Sequence, residues 1–184
     1  MAENDVAIQI DASNQAFEAL TPYFGAMCCE AASFCFEQHG HAVPTRAALS
    51  GCETPHAHFH WAPPALQAAA TYRDKDVAAE NGAYALAIAV LNQVHGYRAI
   101  ERSAKGTGFD FWIGTMQGDL PFNGKVRLEV SGIFEGQSRV GSRLTSKLKQ
   151  MAPSDQSGSG FAVVAEFGRP TVAVGKRKSS HGDE

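Results

Sequence analysis

The chain has 184 residues, of which 44% are apolar and 19% charged, and a formal net charge of −3. That apolar content suffices for a sizeable core and excludes wholesale disorder. The longest apolar stretch, 83–94, is too short and too interrupted to span a bilayer. In chain order, Val6, Ile8 and Ile10 alternate and predict a strand. Ser13 is placed to cap a long helix running to about Gln38, with Pro22 as an early break. Residues 40–65, rich in Pro, Gly and His, read as loop with one extended piece. From 77 to 94, Ala83, Leu86, Ala87, Val90, Leu91 and Val94 recur at spacings of three and four, which predicts a helix. Asp76 is its expected N-cap, and Glu80 falls in its early turns. Its many alanines and Gly82 suit close packing against a sheet.

Three β-runs follow, over 97–102, 108–113 and 126–133, with Asn123-Gly124 as a turn before the third. Alternation in the third turns Val126, Leu128 and Val130 to one face and Arg127, Glu129 and Ser131 to the other. Residues 138–151 read as a basic helix carrying Arg139, Arg143, Lys147 and Lys149. A Pro/Ser/Gly loop over 152–160 leads to a strand over 161–167, and 172–174 add another. The division is an N-terminal strand-helix-loop appendage over 1–70, a core over 71–175 and a polar tail over 176–184. The fold class is α/β, of the mixed α+β kind.

Charge is uneven. Residues 1–100 carry 4 Lys/Arg against 10 Asp/Glu, whereas residues 101–184 carry 12 against 9. A polyanion would meet the second half more easily. The N-terminus places Glu3 and Asp5 where a secretory signal would carry Lys or Arg. The expectation is a cytoplasmic protein with no membrane partner, in which Cys28, Cys29, Cys35 and Cys52 stay reduced.

The segment 80–131 carries the chemistry. Glu80 on a helix is followed by the strand Gly96-Tyr97, the loop Ser103 to Gly108, Asp110 on the next β-run, and Glu129-Val130-Ser131 on the third. This order resembles the PD-(D/E)xK nuclease superfamily, and within it the Holliday-junction resolvases. The resemblance covers about the last hundred residues. It implies a restriction-endonuclease-like core of helix, three strands, helix and strand, with residues 1–70 outside it. Asp110 and Glu129 would then be the ligands of Mg²⁺ or Mn²⁺, with the Val130 carbonyl as a further ligand and Glu80 assisting. Hard oxygen donors and one or two carboxylates suit such an ion.

The motif lysine is absent, because position 131 is Ser. Lys105 is the first candidate to replace its charge; Arg127 on the same strand face and Lys147 on the next helix are the others. Ser103, Arg127, Arg139, Arg143 and Lys147 are the candidate nucleic-acid contacts, DNA being favoured over RNA. If no cation replaces the lysine, the alternative is a catalytically silent nuclease-like subunit that binds nucleic acid or a protein partner. Such compact proteins often act as homodimers, and residues 1–70 are the expected docking region for a partner.

The residues also allow plainer readings. Asp110 fits the solvent side of an edge strand, and Glu129 fits an ion pair with Arg127 or Arg98. His56, His58 and His60 share one face if extended, and three imidazoles suit Zn²⁺. No supporting CxxC or HExxH spacing occurs, so a solvated strand face is preferred there. Gly106-Thr107-Gly108 lacks the frame of a phosphate-binding P-loop.

Overall fold

The computed structural model describes residues 5–115 and 124–180. Among these residues, eight strands form one mixed sheet: β1 (Asp5–Ile10), β2 (Thr45–Ser50), β3 (His56–Trp61), β4 (Arg98–Arg102), β5 (Phe111–Gly114), β6 (Val126–Ile133), β7 (Gly160–Glu166) and β8 (Thr171–Arg177). Their order across the sheet is β1-β3-β2-β8-β7-β6-β5-β4. Among the described residues the α-helices are α1 (Pro22–Gln38), α2 (Ala68–Thr71), α3 (Lys75–His95) and α4 (Val140–Gln150), with short 3-10 turns between elements. The sheet packs against α1 and α3, while α4 lies along β6, β7 and β8. Among the described residues, no helix is long and apolar enough to cross a membrane.

Several boundaries differ from the sequence reading, for local reasons. Pro22 begins α1 instead of breaking it, because a missing N–H costs nothing at the first helical position. Thr21, not Ser13, is the N-cap, and Asn14 caps a short 3-10 turn over Gln15–Phe17. Residues 40–65 hold two strands, β2 and β3, paired antiparallel. Asp74, not Asp76, caps α3, accepting the N–H groups of Asp76 and Val77 at 3.0 and 3.2 Å. The Asn123-Gly124 turn cannot be placed as a pair, since Asn123 lies outside the described residues.

From α3 onward the order is helix, three strands, helix, strand. β4, β5 and β6 pair antiparallel in succession, and α4 carries the chain across to β7, parallel to β6. Residues 1–70, read from sequence as an appendage, contribute three strands to the same sheet through the β2–β8 pair. They also contribute α1 to the same hydrophobic core as α3.

Two glycines set how closely the layers approach. Along α3, the residues from Ala78 to Leu91 are almost all buried, so the helix is enclosed rather than one-faced. A Cβ at Gly82 would lie 2.9 Å from the α1 backbone at Ala32. A Cβ at Gly132 on β6 would overlap the Ala79 carbonyl of α3. These contacts seat the first turns of α3 on β6, which brings Glu80 beside Ser131 and Gly132.

Candidate functional site

Asp110, Glu129 and Glu80 share one open, strongly polar cavity of about 480 Å³. Val130, Ser131 and Gly132 form its floor, Asp76 joins the acidic wall, and Arg139, Arg143, Lys147 and Gln150 line the side formed by α4 and the turn before it.

Asp110 precedes β5 rather than lying within it. Its backbone is tied on both sides: its N–H donates to Leu128 O at 2.8 Å, and its own carbonyl accepts from Ser103 N at 2.8 Å. Its Oδ2 accepts the Val130 N–H at 2.8 Å. This bond fixes the carboxylate against the strand that carries Glu129, close enough for the charge of Asp110 to act on Glu129. Neither is the exposed residue of an edge strand.

The alternation read in β6 holds, but the second face is covered by α4 instead of water. Glu129 is 2% exposed. Its Oε1 accepts from Lys147 Nζ at 2.5 Å and from Gln150 Nε2 at 2.8 Å. Its ion-pair partner is therefore neither Arg127 nor Arg98. Burial pushes the Glu129 carboxyl up to about 7, with the charge of Asp110 adding to the shift and Lys147 opposing it. Burial also raises Asp110, against the Val130 N–H and the charges of Lys147 and Arg102.

Ser131, at the motif-lysine position, accepts from Arg143 Nη1 at 3.3 Å. The cation bonded to Glu129 is Lys147, which reaches in from α4. Lys105 sits on the exposed turn between β4 and β5, away from the residues that line the cavity. Ser103 is also outside the wall, where its hydroxyl pairs with that of Thr107.

Arg127, expected from the sequence to contact nucleic acid, does not reach the surface. It is fully buried, and its guanidinium donates to Met151 O at 2.9 Å, Ser154 Oγ at 2.6 Å and Asp155 Oδ1 at 3.1 Å. It is an internal anchor and offers nothing to a nucleic-acid backbone. Arg139 and Arg143 do reach the cavity.

Three members of the network escaped the sequence reading. Tyr84 donates to Glu80 Oε1 at 3.0 Å and lies 3.4 Å from Asp110 Oδ1. Its hydroxyl is held protonated by burial and the neighbouring acids, and it accepts from Arg102 Nη2 at 3.3 Å. Gln150 is the third. The available signal was helical spacing: Tyr84 is four residues after Glu80, and Gln150 three after Lys147.

His56, His58 and His60 do line one face of β3, opposite buried Ala57, Phe59 and Trp61. His58 and Arg46 bond the Asp5 carboxylate at 3.0 and 3.1 Å, and His56 lies 3.5 Å from it. Among the described residues, no group of three or more His, Cys, Asp or Glu is arranged to hold a metal ion, at this face or in the cavity. Mg²⁺ and Mn²⁺ take one or two carboxylates and keep several waters, and Asp76, Glu80, Asp110 and Glu129 are the carboxylates that line the cavity.

Comparison with family models, with curated proteins and with solved structures finds no match to this chain.

Proposed function

We propose that this chain is a metal-dependent nuclease that hydrolyses phosphodiester bonds, with the cavity between β6, α3 and α4 as its active site. The observation that carries the reading is the convergence of Asp110, Glu129 and Lys147, from three separate elements, on one polar cavity that also holds Glu80. The element order from α3 to β7, with β6 and β7 parallel across α4, supports a restriction-endonuclease-like core.

Asp110 and Glu129 would hold Mg²⁺ or Mn²⁺, with Glu80 close enough to assist. Bound there, the ion would supply Lewis acidity and an acidified water. Lys147 contributes the charge that Ser131 lacks, offsetting the negative charge that develops on the phosphate in the transition state. Gln150 holds the same Glu129 oxygen as Lys147 and so fixes its rotamer. Arg139 and Arg143 hold the substrate phosphates by charge-assisted hydrogen bonds. Double-stranded DNA is the substrate class to try first.

The test is nicking of supercoiled plasmid with Mg²⁺ or Mn²⁺. Wild-type protein should nick, and Asp110→Ala and Glu129→Ala should not. Identical behaviour of all three would overturn the proposal. One observation favours the silent, binding-only reading: Lys147 already neutralises Glu129 as an internal counter-ion. Nucleic-acid binding that is indifferent to EDTA, with no turnover, would select that reading.

A further inference from the structure

Tyr84 is not part of the cavity wall, yet it touches two residues that are. The Arg102 guanidinium lies over three aromatic rings, 5.1 Å from the centre of Tyr84, 5.3 Å from Phe24 and 5.4 Å from Phe111. From that platform its Nη2 donates to Tyr84 Oη at 3.3 Å. The phenol has one proton to give. The nearer acceptor is Glu80 Oε1 at 3.0 Å, with Asp110 Oδ1 further off at 3.4 Å. Since Asp110 Oδ2 is already committed to the Val130 N–H, Oδ1 is the oxygen left for an ion.

Arg102 is the hazard in this arrangement. Its charge is felt at Asp110. Guanidinium and carboxylate pair strongly when they meet directly, often through two hydrogen bonds. A single oxygen atom, Tyr84 Oη, stands between them. We propose that Tyr84 is a positioning residue: it holds Arg102 off the Glu80 and Asp110 carboxylates and so keeps them open to a divalent cation. This inference rests on reading the cavity as a metal-dependent site. It explains why a tyrosine, not a phenylalanine, occupies a ring position already packed by Phe24 and Phe111.

The test is Mn²⁺ binding to the full chain by titration calorimetry, comparing wild type, Asp110→Asn, Tyr84→Phe, Arg102→Met and Tyr84→Phe/Arg102→Met. Tyr84→Phe keeps the ring and its packing, and thermal melting is the check that it folds. It should weaken Mn²⁺ binding about 10- to 100-fold, the usual cost of losing a partner behind a metal ligand. Arg102→Met alone should bind as tightly as wild type or more so, and the double variant should recover to near wild type. A merely structural role for Tyr84 would give no such recovery. If Tyr84→Phe binds like wild type while Asp110→Asn has lost binding, the positioning role is refuted and the metal site stands. If the double variant is as weak as Tyr84→Phe, the role assigned to Arg102 is refuted. If Asp110→Asn binds like wild type, the metal reading falls and takes this inference with it.

Discussion

Removing the Asp155 carboxylate should destabilise the protein more than most single substitutions. Arg127 is fully buried, and Asp155 is the carboxylate bonded to it. The same carboxylate accepts from Arg177 Nε at 2.6 Å and Nη2 at 2.5 Å, tying the end of β8 to the turn after α4. Deleting one member of a buried ion pair costs about 3–5 kcal/mol, because the surviving charge stays desolvated. Asp155 retains some solvent exposure and Arg127 keeps two neutral acceptors, so about 3 kcal/mol is expected for Asp155→Ala. For a chain of this size that lowers the melting temperature by about 6–12 °C. Arg127→Met should cost less, since it removes the fully buried charge and leaves Asp155 paired with Arg177 and partly exposed. Urea unfolding of wild type, Asp155→Ala and Arg127→Met reads both values. A loss below about 1 kcal/mol for Asp155→Ala, or a larger loss for Arg127→Met than for Asp155→Ala, would refute the reasoning. Folded Arg127→Met should also bind nucleic acid with undiminished affinity, which a surface role for Arg127 forbids.

The remaining predictions concern the cavity. Lys147→Gln should lower single-turnover cleavage about 10²- to 10³-fold, the scale of a lost electrostatic stabiliser, while Lys105→Ala leaves it unchanged; Ser131→Lys added to Lys147→Gln should restore part of the rate. Without divalent cations, the raised Glu129 carboxyl favours the folded state at low pH. Its contribution is full below 4.5 and is lost as pH rises through about 7. Denaturation midpoints should therefore fall across that window and fall less in Glu129→Gln. Asp155 acts oppositely: held down to about 2 by Arg177 and Arg127, it contributes stability above 3.8 that disappears in stronger acid. Gly132→Ala should cost about 3 kcal/mol or more by forcing β6 away from α3, and should abolish cleavage because Glu80 moves with the helix; circular dichroism melting and the plasmid assay check each part.

Strong periodicity made much of this fold legible. The 126–133 run was read to its ends because Val126, Leu128 and Val130 alternate cleanly with polar residues. The buried stretch of α3 was equally plain. β2 and β3 were harder: 45–50 is a short run with little β-branched character, and its partner is interrupted by three histidines. Asp110, Glu129 and Glu80 could be picked out because each stands on, or immediately before, a recognisable element. Lys147 could only be offered as one of several cations, since its approach to Glu129 depends on how α4 crosses β6, and no local pattern encodes that crossing. Arg127 was misread for a related reason. Alternation says which residues share a face, but not that a helix and the Asp155 turn will cover it.

Metal-dependent cleavage in this cavity requires Asp110 and Glu129 to meet at a point where an ion is held. Anomalous diffraction from crystals soaked in Mn²⁺ measures this most directly. The expected result is a peak in bonding contact with Asp110 Oδ1 and a Glu129 carboxylate oxygen, with Lys147 displaced from Glu129 or sharing it. Manganese bound elsewhere, or absent from this cavity while the Lys147–Glu129 pair remains closed, would contradict the account.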